Sequence, residues 1–206
     1  MNDLKTINYL YLSLICFFLF FFLTIFIING NAIFFDEVIY NFLHQFSLTS
    51  FFKVMTELGG IIGILIVMLF YLLGSKSKKN KQFFISLMLL NTAANVVLKL
   101  FFVRSRPYYE KLVSTSGFSF PSGHAMAISM CYGLFIYFLW QTNIKKVWKI
   151  IGTCFFLFII LSVCLSRIYL GAHYASDVLG GLLVSLFFLF FSIFFLKTTK
   201  MVKASS

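Results

Sequence analysis

Leu10 to Ile28 reads "LYLSLICFFLFFFLTIFII" and carries no charged residue. A helix needs about 20 mostly apolar residues to cross a hydrocarbon layer of about 30 Å, so this run is long enough to span a bilayer. Its apolar core is longer than the roughly 7–15 residues of a secretory signal, and no A-x-A-like cleavage site follows, so it reads as a retained helix. Runs of similar length recur near Met55–Leu73, Phe83–Val103, Ser122–Trp140, Val147–Leu165 and Ser176–Leu196. These six runs predict an all-α, six-helix transmembrane bundle. Six helices of that length take about 120 residues, which leaves tails and loops and predicts a single domain over residues 1–206. No linker, low-complexity tail or internal repeat is visible.

Composition agrees. The chain is 61% hydrophobic with 30 Phe, and its mean hydropathy is +0.96. A soluble domain of 206 residues has too little interior to hide that much apolar surface. The net charge of +11 could suggest nucleic acid, but only 11% of residues are charged and the lysines cluster between apolar runs. That distribution suits membrane topology, and no nucleic-acid partner is expected. Cys16, Cys131, Cys154 and Cys164 all fall within apolar runs and form no C-x-x-C. They read as buried small hydrophobes, with no disulfide framework and no zinc site.

Cations set the direction. Lys76, Lys78, Lys79 and Lys81 follow the second run, Lys145, Lys146 and Lys149 follow the fourth, and Lys197, Lys200 and Lys203 follow the sixth. With Lys5 they make 11 of the 17 basic residues, all on one side of an alternating chain. The positive-inside rule makes that side cytoplasmic, with both termini inside. The outer face then carries Asp36, Glu37, Arg104, Arg106, Glu110, Lys111, the Pro121-Ser122-Gly123-His124 turn and the segment around Arg167.

Some of these residues serve no purpose in a plain bundle. Lys53, Arg104 and Lys111 read as headgroup cations. Lys99 is different: it lies one helical turn inside the end of an apolar run, where an insertion cost of up to about 2.5–3.5 kcal/mol applies unless the chain snorkels. Arg106 follows seven residues later, two turns on, although Pro107 disfavours helix there and makes the alignment approximate. In "SRIYLGAHYASDVLGG", a last helix starting near His173 would make His173 and Asp177 i and i+4 neighbours. A carboxylate beside an imidazole orients the ring and fixes its tautomer. The same pair also fits a cap or a structural hydrogen bond. Ser122 and Pro121 start helices well, and free amides at a helix N-terminus hold phosphate. A plain N-cap explains Ser122 but not His124. Two like charges 4 Å apart repel by about 4 kcal/mol at an effective dielectric of 20. Lys99, Arg106 and Arg167 would therefore not converge without an anion, most simply a phosphate.

At this point "KLFFVRSRP", "PSGH" and "SRIYLGAHYASD" resemble the three signature motifs of the type 2 phosphatidic acid phosphatases, the lipid phosphate phosphatases, with every signature position filled in order. The resemblance implies that His173 attacks phosphorus to form a phosphohistidine while Asp177 holds its ring. His124 would protonate the leaving oxygen and then help water hydrolyse the intermediate. Lys99, Arg106, Ser122, Gly123 and Arg167 would bind the phosphoryl oxygens. No metal or other cofactor is implied, and opposite protonation states of the two histidines predict a bell-shaped pH–rate profile. The implied partners are the membrane and a lipid phosphate drawn from it: undecaprenyl diphosphate first, with phosphatidylglycerophosphate or phosphatidic acid as the alternatives. Glu57, before Gly59-Gly60, is a candidate substrate contact or partner of a motif cation, and His44 reads as an interfacial residue. A transporter would place charges near mid-membrane, and a non-catalytic lipid-binding protein would have lost a signature residue. A vanadate-using haloperoxidase with the same kind of site is expected to be soluble and larger.

Overall fold

The computed structural model describes the backbone of residues 2–205 and the side chains of residues 6–199. Lys5, Lys200 and Lys203, counted above among the inner cations, lie outside the residues whose side chains are described. Among the described residues there are eight helices: α1 Asn2–Ile28, α2 Ala32–His44, α3 Thr49–Gly59, α4 Ile61–Gly74, α5 Lys78–Phe102, α6 Gly123–Leu139, α7 Lys146–Tyr169 and α8 Ala175–Ser205. The fold is all-α, but the expected count of six needs two corrections.

The run predicted as one helix near Met55–Leu73 is two, α3 and α4, bent by 55° at their junction. Gly60 is extended there, with ψ 166°. A side chain on Gly63 would run into the Glu57 carbonyl, so only glycine lets α4 start this close to the end of α3. The second correction is α2, whose 13 residues are too few to span. Among the described residues four helices are long and apolar enough to cross a membrane, or five if the bent pair is one span, while α6 has 17 residues. The protein is a multi-pass membrane protein.

Local chemistry sets the other boundaries. α5 starts where the Ser77 side chain accepts from the Asn80 amide at 3.2 Å, and it stops at Val103, which is left-handed. α7 ends before Gly171, at φ +67°; a Cβ there would also collide with the Glu110 carbonyl. α6, α7 and α8 pack on one another at the centre, α1 lies along α8, α5 against α6 and α3 against α7. The interior is built from Ala125, Ile128, Met130, Leu134 and Val163. Large apolar side chains such as Phe22, Ile61 and Phe101 stay exposed on the outer helix faces, where hydrocarbon rather than water is the fitting solvent. Cys16, Cys131 and Cys164 are buried as expected, but Cys154 is exposed on such a face; all four are free thiols.

Candidate active site

Five segments converge at one end of the bundle: the end of α5 with the loop after it, the start of α6, the end of α7, the Gly171–Tyr174 turn and the start of α8. The helix predicted to begin near His173 begins at Ala175, so His173 lies in the turn before it. The spacing still brings His173 to Asp177. The ring Nδ1 stands 3.5 Å from Asp177 Oδ2 and 3.3 Å from Ser119 Oγ. On the other side, Arg106 Nη1 lies 3.3 Å from His173 Nε2. A guanidinium can only donate, so Nε2 must present its lone pair and Nδ1 must carry the proton, shared between Asp177 and Ser119. The ring is 2% exposed. Burial pushes its pKa down to about 4, against the opposing hydrogen bond and charge of Asp177.

Arg106 does not continue the helix of Lys99, because α5 ends at Phe102; the loop delivers it. Backbone carbonyls hold its guanidinium: Gly117 at 2.9 Å, Ala172 at 2.7 Å and Ser116 at 2.6 Å. Lys99, still on α5, donates to the carbonyl of Phe118 and, at 3.5 Å, to that of Ser119. Arg167 comes from the last turn of α7, is buried, and donates to Thr56 Oγ1 at 2.6 Å. Its Nε has no partner, which leaves a buried donor aimed at nothing the protein supplies.

Ser122 caps α6, with Gly123 and His124 as the first two helical residues. The Ser122 amide donates to the Asp177 carbonyl at 3.0 Å and ties the two helix starts together. A Cβ on Gly123 would stand 3.1 Å from Asn95 Oδ1, so a side chain there would require Asn95 to give way. His124 packs against the α3–α4 break, where a Cβ on Gly59 would be 3.3 Å from its Cδ2. The charges of Arg167, His173, Arg106 and Lys99 all act on His124. Three cations and two histidines are thus brought together. Glu57 is exposed and takes part in none of the ion pairs among the described residues, but its charge acts on Arg167. His44 is exposed, with its ring stacked on Tyr169 at 4.6 Å.

Arg104 is the main correction. Far from standing in headgroup water, it donates to Asp36 at 2.9 Å and to Asp177 at 2.6 Å, and its side chain is 17% exposed. Ser119, Thr56, Asn95 and Asp36 were also missed. Each is an ordinary polar residue with no spacing signal, and only the packing reveals its partner. No group of three or more His, Cys, Asp or Glu among the described residues is arranged to hold a metal ion.

The fold and this cluster define a multi-pass membrane protein whose oriented histidine faces a bowl of cations. The chain belongs to the PAP2 superfamily, whose sequence profile matches residues 82–200. It is 40% identical over 102 residues to phosphatidylglycerophosphatase B of Bacillus subtilis (strain 168), a match covering 47% of this chain and 48% of that protein. The match therefore spans about half the length of this curated relative. The fold is similar to the crystal structure of a transmembrane PAP2-type phosphatidylglycerolphosphate phosphatase from Bacillus subtilis, with a TM-score of 0.77 and 28% identity over 94% of this chain and 97% of that one. Aquifex aeolicus LpxE shares the fold at a TM-score of 0.63 and 21% identity, over 77% of this chain and 92% of that one.

Proposed function

We propose that this protein is a metal-independent lipid phosphate phosphatase that works through a phosphohistidine on His173. One observation carries the reading: the His173 Nε2 lone pair faces Arg106, with Asp177 and Ser119 behind Nδ1. An incoming phosphate dianion would take over the Arg106 donor and the unpaired Arg167 Nε, freeing Nε2 to attack. The N–P bond forms as the P–O bond to the lipid breaks, and His124 gives its proton to the leaving oxygen. Water then attacks phosphorus, His124 takes a water proton, and the N–P bond breaks to release inorganic phosphate and neutral His173. Charge stabilisation by Lys99, Arg106 and Arg167, with the Ser122 hydroxyl and the Gly123 amide as further donors, does most of the work, as phosphoryl transfer requires.

A cavity of about 530 Å³ supports a lipid substrate. Its walls include Ile64, Leu65, Met68 and Met88 from α4 and α5, and it runs up to Gly123 and His124. The likeness to Bacillus subtilis phosphatidylglycerophosphate phosphatase, in sequence and in fold, shifts the preferred substrate from undecaprenyl diphosphate to phosphatidylglycerophosphate. The lysine pattern supports six crossings, with the α3–α4 pair as one and α6 as another, and with them both termini inside and the site outside.

The test is phosphate release by detergent-purified protein in EDTA, from phosphatidylglycerophosphate and undecaprenyl diphosphate in parallel, beside His173→Ala. Release by the wild type alone supports the reading, and the faster lipid names the substrate. Release abolished by EDTA, or retained by His173→Ala, rejects the mechanism.

A further inference from the structure

Asp36 is a carboxylate on a helix that contributes nothing else to the site, yet it is 1% exposed. Its Oδ1 accepts the Ser176 amide at 2.8 Å, and its Oδ2 accepts the Ser176 hydroxyl at 2.8 Å and Arg104 Nη2 at 2.9 Å. Arg104 Nη1 continues to Asp177 Oδ1 at 2.6 Å and to Ser176 Oγ at 2.8 Å, while the guanidinium lies 4.3 Å above the Tyr174 ring. The far oxygen of Asp177, Oδ2, accepts from Ser119 Oγ and from the Tyr174 amide at 2.9 Å, and faces His173 Nδ1. A chain of charge-assisted bonds therefore runs from α2 through Arg104 to Asp177, which reaches the imidazole by a 3.5 Å contact to Nδ1 and through the Ser119 hydroxyl between them.

We propose that Arg104 and Asp36 are a positioning pair that fixes the rotamer and offsets the charge of Asp177, and through it sets the orientation and basicity of His173. The proposal rests on the phosphatase reading for its effect on turnover, but the coupling to His173 exists whatever the substrate. Neither residue reaches the phosphate bowl. Two charges of opposite sign act in series: Arg104 draws the Asp177 carboxylate off the imidazolium, and Asp36 moderates Arg104. The other charges around His173 are Arg106 from the loop after α5, Arg167 from α7 and His124 from α6, and none of them touches Asp36 or Arg104.

Opposite signs give opposite shifts. In Arg104→Gln the charge of Asp177 is unopposed, imidazolium is favoured, and the acid limb of kcat/KM moves to higher pH. In Asp36→Asn, Arg104 loses its counter-charge and acts fully on Asp177, so more of the plateau activity survives at pH 4.5 than in the wild type. The double variant returns the limb close to its original place while its kcat stays low, because the charges cancel but the support is gone. Arg104→Gln should lower kcat about 10–100-fold, as removing an orienting partner of a site residue does, with KM within about threefold. Arg104→Lys should recover part of the loss. Were the pair merely a cap on α8, both variants would lower the unfolding temperature and leave the limb in place. An unmoved limb, or one that moves the same way in both single variants, overturns the proposal. Titrating the three histidines by ¹⁵N NMR reads the same shift without substrate, and Asp36→Asn and Arg104→Lys carry the test if Arg104→Gln does not fold. Opposite His173 shifts in a protein that releases no phosphate from lipids leave the coupling standing and reject the phosphatase reading alone.

Discussion

Replacing Gly181 by alanine tests whether the close contact between α6 and α8 holds the site together. Gly181 lies one turn after Asp177, against the turn that carries Ser122 and His124. A Cβ there would stand 2.7 Å from the Ser122 carbonyl oxygen, 3.0 Å from Ala125 Cβ and 3.3 Å from the Met126 amide. Two of these three neighbours are backbone atoms and the third is fixed to the backbone, so no rotamer change relieves the overlap. Ordinary contact begins at 3.4 Å, so the helices must part by about 0.7 Å. The 3.0 Å bond from the Ser122 amide to the Asp177 carbonyl would stretch past hydrogen-bonding range. His173 and Asp177 would then shift against Ser122, Gly123 and His124. A misplacement of about 1 Å can cost about 100-fold in rate, so a kcat loss of about 10–100-fold is expected at this smaller shift. Overpacking should also cost about 1–3 kcal/mol of stability. The assay is phosphate release at saturating lipid phosphate, with thermal unfolding measured on the same preparation. Gly74→Ala is the control: a Cβ there meets nothing within 4 Å, and stability should change by no more than about 0.5 kcal/mol. A folded Gly181→Ala protein with kcat within about twofold of the wild type would refute the argument.

Two further predictions follow from the same geometry. On the proposed mechanism the acid limb of kcat/KM should have its midpoint near pH 4, because His173 would attack only when neutral and burial holds its pKa at about 4. Activity is then kept as pH falls through the usual imidazole range near 6.5 and is lost below about pH 5; a midpoint near 6.5 would show that His173 is solvated or is not the titrating group. Thr56→Val keeps the shape of the side chain but removes the hydroxyl that accepts from Arg167 at 2.6 Å. A hydrogen bond to a charged group contributes about 1.5–3 kcal/mol, so kcat/KM should fall about 10–100-fold. An unchanged kcat/KM would mean that Arg167 is held in place without Thr56.

Sequence by itself determined the solvent, the helical class and the cations and histidines that cluster at one end of the bundle. Uninterrupted apolar length requires a bilayer, because no soluble fold of this size buries so much, and the bilayer requires helices that satisfy their own backbone groups. Lys99, Arg106, Ser122, Gly123, His124, Arg167, His173 and Asp177 were legible because each breaks the pattern of an apolar helix or stands at a fixed interval from another. Elsewhere the pattern misled. Apolar periodicity does not register a bend, so α3 and α4 read as one helix, although Gly59-Gly60 marked the place. Nor does a net count of surface cations reveal which one is paired: Arg104 looked like Lys53 and Lys111 until α2 brought Asp36 against it. That pairing, the Ser119 hydroxyl on Asp177 and the Thr56 hydroxyl on Arg167 join residues 68, 58 and 111 positions apart. Hydropathy and spacing are local properties of the chain, whereas a buried charge is stabilised by whichever group the tertiary fold sets beside it. The tertiary structure alone therefore decided which polar residues became partners of Asp177 and Arg167.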